Sequence, residues 1–309
     1  AGPGTRLAAG PRPGPAEQWG SLPPVSRLKE SEISALLVLL GDDDEWTASV
    51  ARERLLEAGE SVVPRLHAAA NANNIRLRAR ARSLLETIRL NALREKFRQF
   101  SYRPDQELEL LDGAFLVAEI GYPDLDRTPT LERLTQLEAE IRQELTGKDT
   151  PYEIVGALNR VLFVRYGFRG NRERYYDPDN TFIHRVVERR VGLPITLSVV
   201  YIVLARRLGL AVDGVGMPGH FLVRYRDLED LFIDPFNRGQ ILNTRDCYRY
   251  LLSAGYGYDA AYLRPVGVRS IIARMLLNLT QIYSQFEDHE RASLLTEYFN
   301  IVLRRNTGD

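Results

Sequence analysis

Cysteine is almost missing: Cys247 is the only one in 309 residues. One thiol excludes an intramolecular disulfide and any zinc site built on several cysteines. A chain without disulfides suits a reducing compartment, so a cytoplasmic protein is expected. Net charge is missing too, because 41 basic side chains cancel 41 acidic ones. Nucleic-acid binders draw much of their affinity from phosphate neutralisation, so no nucleic-acid partner is expected. No apolar run approaches the roughly 18 residues of a membrane helix, and none is expected to span a bilayer. The opening residues show no secretory signal pattern, although the chain starts at Ala1, as one trimmed upstream would. Gly214-Val215-Gly216 leads to a proline and a strand, not to a helix, so it is no phosphate loop. No His, Cys or acidic spacing suits a metal, and neither metal nor cofactor is expected.

What is present is enough for real cores. Hydrophobic residues make up 44% and charged residues 27%, and the length suits two or three compact units. Residues 1–30 open with Pro/Gly-rich sequence and are expected to be a disordered leader. Residues 31–100 have helical periodicity and a weak internal repeat. Asp42 to Glu45 precede a helix with Trp46 and Leu55-Leu56; Asn71 to Asn74 precede another with Ile75 and Leu84-Leu85. Between them Ser61 is expected to cap a helix that carries Pro64 in its first turn. Such a pair resembles HEAT-type repeats, here expected to serve mainly as a helical cap on the next domain. The basic stretch 89–98 is read as the solvated face of a connecting helix.

Residues 101–265 carry the chemistry. Helices are expected over 108–119, 130–145 and 151–166, the second with Leu131, Leu134, Leu137, Ile141 and Leu145 on one stripe. A polar, aromatic loop from Phe168 to Asn180 leads to a short helix and then to a long apolar one opened by Leu193-Pro194-Ile195-Thr196. Two strands follow, 219–225 and 231–234, joined by a polar run as a hairpin. With that loop centred near Leu228, Asp234 falls opposite Leu222 and diagonal to His220. Alternation then puts the imidazole and the carboxylate on one face as neighbours. A carboxylate so placed fixes the tautomer of the imidazole and stabilises its cation, as nucleophilic catalysis requires. A slip of one residue would separate them.

The order of helix, His strand and Asp strand resembles the transglutaminase-like superfamily. Asp177-Pro178-Asp179-Asn180, Gly192-Leu193-Pro194-Ile195-Thr196, Pro218-Gly219-His220-Phe221 and Phe232-Ile233-Asp234-Pro235-Phe236-Asn237 are similar to one bacterial branch, the SirB-type family with a "core 2" transglutaminase-like domain. The resemblance implies an α+β, papain-like core and a degenerate triad at Thr196, His220 and Asp234. Active transglutaminases carry a cysteine near the helix start, where this branch typically has Ser or Thr and this chain has Pro194 and Thr196. A threonine hydroxyl is hard to ionise and, inside a chain, lacks the terminal amine that threonine enzymes use. Cys247 follows the Asp strand, in the first turn of a helix expected near Asn243, and is read as an ordinary buried thiol. His67 and His289 are read as surface residues and His184 as a packing residue.

Residues 266–309 form two apolar-striped helices around a turn at 286–288 and resemble a tetratricopeptide hairpin, as the SirB-type family carries. The expected function is a non-catalytic scaffold that holds a protein or peptide partner. The alternative is a hydrolase or acyl transferase on amide substrates, with Thr196 as nucleophile, His220 as base and Asp234 as its orienter.

Overall fold

The computed structural model describes residues 28–147, 149–228 and 230–304; most of the expected leader, residues 1–27, lies outside them. By compactness the chain divides once, between Leu90 and Asn91.

The first unit is helical. It comprises α1 (Glu30–Leu40), α2 (Glu45–Ala58), a 3₁₀ turn at Gly59–Val62, α3 (Val63–Ala69) and the first half of α4 (Ile75–Tyr102). Asp44 caps α2, its carboxylate accepting from the Thr47 amide at 2.8 Å. Ser61 does not cap α3: its hydroxyl donates to the Ala58 carbonyl, and Val62 holds the cap position. Leu55 and Leu84 are both fully buried, whereas Trp46 and Ile75 are both exposed.

The second unit adds the rest of α4 to α5 (Leu110–Gly121), α6 (Thr128–Gln143) and α7 (Pro151–Asn159), which runs on as a π turn at Arg160–Arg165. Of the stripe expected on α6, Leu131 is exposed and Thr130 takes a buried place beside Leu134, Leu137 and Ile141. After β1 (Arg169–Gly170), α8 (Ile183–Arg189) and β2 (Val191–Gly192) comes α9 (Pro194–Arg207). Every residue of α9 from Pro194 to Ala205 is buried. Such a helix must be covered on all sides; α5, α6, α7, α8 and the sheet pack around it.

That sheet is antiparallel throughout: β3 (Val212–Val215), β4 (Leu222–Tyr225), β5 (Phe232–Asp234), β6 (Gln240–Leu242) and β7 (Pro265–Val266), in the order β6-β5-β4-β3-β7. The hairpin expectation found β4 and β5 but not the other three strands. Each of those has two to four residues, and β3 contains Gly214. A Cβ at Gly214 would sit 2.7 Å from the Phe221 ring, so the glycine makes room for that side chain.

α10 (Thr244–Ser253) is followed by α11 (Val268–Gln285) and α12 (His289–Leu303). The last two pack within the second unit. Phe97 of α4 stacks on Tyr298 of α12 with ring centroids 4.6 Å apart. Arg269 of α11 donates to Asp105 Oδ1 and to the carbonyls of Ser101, Arg103 and Val302 at 2.8–3.1 Å. At Gly113 of α5 a Cβ would meet Ile272 at 2.7 Å, so the missing side chain lets α11 approach.

Tyr201, in the middle of α9, is fully buried, and its hydroxyl finds no hydrogen-bond partner among the described residues. An unsatisfied buried hydroxyl costs about 1–3 kcal/mol. Tyr201→Phe should therefore keep or raise stability, by up to about 2 kcal/mol in urea denaturation. A loss of more than about 1 kcal/mol would show that the hydroxyl has a partner, such as a buried water.

Candidate active site

Met217-Pro218-Gly219-His220 forms a tight turn closed by His220 N–H donating to the Met217 carbonyl at 3.2 Å. Proline and glycine hold its two central positions, and Gly219 has φ +70°, the type II pattern that favours glycine there. The turn delivers His220 just ahead of β4. Across the hairpin Val223 pairs with Ile233 and Arg224 with Phe232, a register centred on Leu228. Asp234, one residue on, lies diagonal to His220, and Nε2 is 2.7 Å from Oδ2.

Asp234 is almost completely buried. Burial alone would raise its carboxyl, but the contact with His220 and the bonds from Asn237 outweigh this and hold it below the usual carboxylate value. Asn237 donates its backbone N–H to Oδ1 at 3.1 Å and its side-chain amide to Oδ2 at 2.7 Å. Arg172 in turn donates to Asn237 Oδ1. An ionised Asp234 accepts only, so Nε2 of the imidazole donates to it. No hydrogen bond to Nδ1 is found among the described residues.

The ring is held from three sides. Phe236 meets it edge-on with centroids 5.9 Å apart, and Tyr250 of α10 lies at 5.4 Å. Arg274 of α11 grips the turn: its Nη2 donates to the carbonyls of Met217 at 2.5 Å and His220 at 2.9 Å. A cavity of about 530 Å³ opens on the imidazole, with Pro194 and Ile195 from the start of α9 on its wall.

Thr196 does not join this pair. Its side chain is fully buried and turned to the loop before α8, where the hydroxyl donates to the Thr181 carbonyl at 3.5 Å. Ser198, one residue pair further along α9, donates to the Phe221 carbonyl at 3.4 Å. The residues of α9 on the wall of this cavity are Pro194 and Ile195, and neither side chain has a nucleophilic atom.

Cys247 comes nearer. It lies in the first turn of α10, whose cap is Asn243, and lines a second cavity that also touches His220 and Asp234. The thiol is fully buried among Val215, Leu222, Phe232 and Leu251, and makes no hydrogen bond to the imidazole. Burial pushes it up to about 12, with the charges of Asp246, Asp230 and Asp234 adding to the rise.

Asn180, Asp177 and Asp179 build the approach to α9. Asn180 is fully buried; its amide donates to the Arg174 and Tyr175 carbonyls, and its own carbonyl accepts from Leu193 N–H. Asp179 accepts from Tyr122 at 2.6 Å and from Arg185 at 3.0 Å, and Asp177 accepts from Arg189 at 2.9 Å. His184 packs edge-on against Tyr122 and lines neither cavity. His67 and His289 are exposed. Sequence reasoning missed Arg274, Tyr250 and the clamping role of Asn237; only Asn237, three residues after Asp234, had a local signal. Among the described residues no cluster of three or more His, Cys, Asp or Glu side chains is placed to hold a metal ion, and no helix is long and apolar enough to cross a membrane.

The family model of the transglutaminase-like superfamily matches residues 128–277, from α6 into α11. The UPF0162 protein of Xylella fastidiosa (strain Temecula1) is 39% identical over 198 residues, 61% of this chain and 70% of that protein. The UPF0162 protein of Pseudomonas aeruginosa is 30% identical over 178 residues, 57% of this chain and 65% of its own. F-box only protein 21 of Homo sapiens is 26% identical over 254 residues, 72% of this chain but 40% of that longer protein. No solved structure matches.

Two outcomes test the geometry. Asp234→Asn leaves three donors facing one carbonyl oxygen and should cost about 1–3 kcal/mol at pH 7 in urea denaturation. Because the folded carboxyl sits below its ordinary value of 3.8, its contribution is complete above that pH and is lost as the pH falls through the lower folded value. The gap between wild type and variant should therefore close below about pH 4. Iodoacetamide should label Cys247 far more slowly in the native chain than in urea; equal rates would mean an exposed, ionisable thiol.

Proposed function

Since the chain belongs to the UPF0162 family and carries a transglutaminase-like domain, we propose that it is a non-catalytic member of that superfamily that holds a protein or peptide partner. One observation carries this reading: the cavity on which the imidazole opens, where acyl-transfer chemistry needs a nucleophile, receives only Pro194 and Ile195 from the start of α9. The other candidates are engaged elsewhere, Thr196 with the Thr181 carbonyl and Cys247 in an apolar cluster that suppresses its thiolate. In human F-box only protein 21 the similar stretch forms part of a longer chain, which fits a unit used alongside other segments. Assignment to the SirB-type branch, the HEAT-like and tetratricopeptide-like character of the flanking helices and a cytoplasmic location belong to the same proposal.

A second reading rests on the pair that is kept. His220 has its tautomer fixed by Asp234 and an unpartnered Nδ1 beside a cavity, the arrangement of a general base. In a hydrolase or acyl transferase on amide substrates it would deprotonate Thr196, with Asp234 orienting the ring. The Thr196 hydroxyl would first have to leave Thr181 and turn toward the cavity.

The two readings differ in one assay. Incubated with a peptide mixture, the purified chain should leave every peptide uncleaved and uncrosslinked by mass spectrometry, and His220→Ala should be indistinguishable from wild type. A product formed by wild type and lost in His220→Ala would make the protein an enzyme.

A further inference from the structure

The cavity in front of His220 is charged in one sense only. Its volume of about 530 Å³ falls within the range of sites that enclose small ligands, roughly 300–1,000 Å³. Its wall includes one arginine and one imidazole, and neither aspartate nor glutamate. The arginine is Arg274, flanked on α11 by the buried Ala273 and Met275. Its Nη2 is committed to the Met217 and His220 carbonyls. Among the described residues no carboxylate stands within ion-pair distance of it, and no hydrogen bond from Nε or Nη1 is found.

Burial pulls this guanidinium below its ordinary value; Tyr175 and Tyr250 act against that, and its central carbon lies 5.6 Å from the centre of the Phe221 ring. Two carbonyls and a ring face compensate a cation removed from water only in part, because none of them carries a full negative charge. An anion arriving from outside would complete it with charge-assisted hydrogen bonds. The other walls are apolar at Ile195, Phe221, Leu277 and Phe299, with the amides of Asn278 and Gln281 also lining the space. One cation, an apolar wall and uncharged amides within a single small volume match a chain end, where a carboxylate, an apolar side chain and a peptide group lie within a few bonds of each other.

We infer that this cavity receives the free C-terminal carboxylate of a peptide that ends in an apolar residue. Arg274 binds the carboxylate, the apolar wall takes the last side chain, and Asn278 and Gln281 hydrogen-bond the terminal peptide groups. The inference rests on the reading that the site holds a peptide without cleaving it.

The test uses the full chain and N-terminally fluorescein-labelled tetrapeptides ending in leucine or phenylalanine, each with a free or an amidated C terminus. Binding is read by anisotropy, and the recovered peptide by mass spectrometry. The free acids should bind about tenfold tighter or more than the amides, and the difference should shrink as salt rises. Leu277→Glu puts a carboxylate one helical turn from Arg274 without touching its bonds to Met217 and His220; it should remove the preference with an unchanged circular dichroism spectrum. Arg274→Gln should do the same, and if it unfolds, Leu277→Glu decides alone. Equal binding of acid and amide, no binding of either, or a preference that survives Leu277→Glu overturns the carboxylate pocket. Cleaved peptide would instead overturn the scaffold reading on which it rests.

Discussion

The burial of α9 is the constraint from which the rest of the second unit follows. Twelve consecutive residues, Pro194 to Ala205, are shut away from water. A helix with no polar face cannot lie on a surface, so helices and a sheet must enclose it. The first turn of α9 is then fixed against its neighbours, with Leu193 N–H held by the buried Asn180 and Ser198 bonded to the carbonyl beside His220. The position of Pro194 relative to the imidazole is thus set by packing throughout the unit, not by a loop.

On this frame a buried carboxylate is held by an imidazole and by two donors of Asn237. Removing a carboxylate from water is costly unless its lone pairs are used, and here three hydrogen bonds use them. The arrangement also joins the turn before β4 to the end of β5, so it has structural work whatever chemistry the site performs. The site is a polar, shaped recess, with Tyr250 and Phe236 against the ring and Arg274 holding the turn.

Much of the site was legible because it is local. His220 and Asp234 belong to one hairpin, and the symmetry of its loop about Leu228 fixes which residues face each other. The helices at α5, α9 and α11 announced themselves by apolar content. The side chain of Thr196 was not legible: sequence places it two residues after Pro194, but only the packing shows that the hydroxyl turns to Thr181. Arg274 and Tyr250 come from helices that follow the hairpin, and nothing in their own segments points back to it. β3, β6 and β7 are too short to show alternation, and Gly214 interrupts the first of them. Ser61 has the right residue type for a cap, but its hydroxyl bonds backward to Ala58 instead.

The four hydrogen bonds of Arg269 have a bearing on how the molecule forms. They fasten α11 to the end of α4 and the loop after it, more than 160 residues away in sequence, and to the end of α12, 33 residues on. During synthesis α9 leaves the ribosome well before α11 and α12, so the core it shares with them stays incomplete until those last helices emerge. The most completely buried helix of the second unit is also one that waits for its cover. Chaperone demand should accordingly be greatest in the interval between the appearance of α9 and the docking of Arg269.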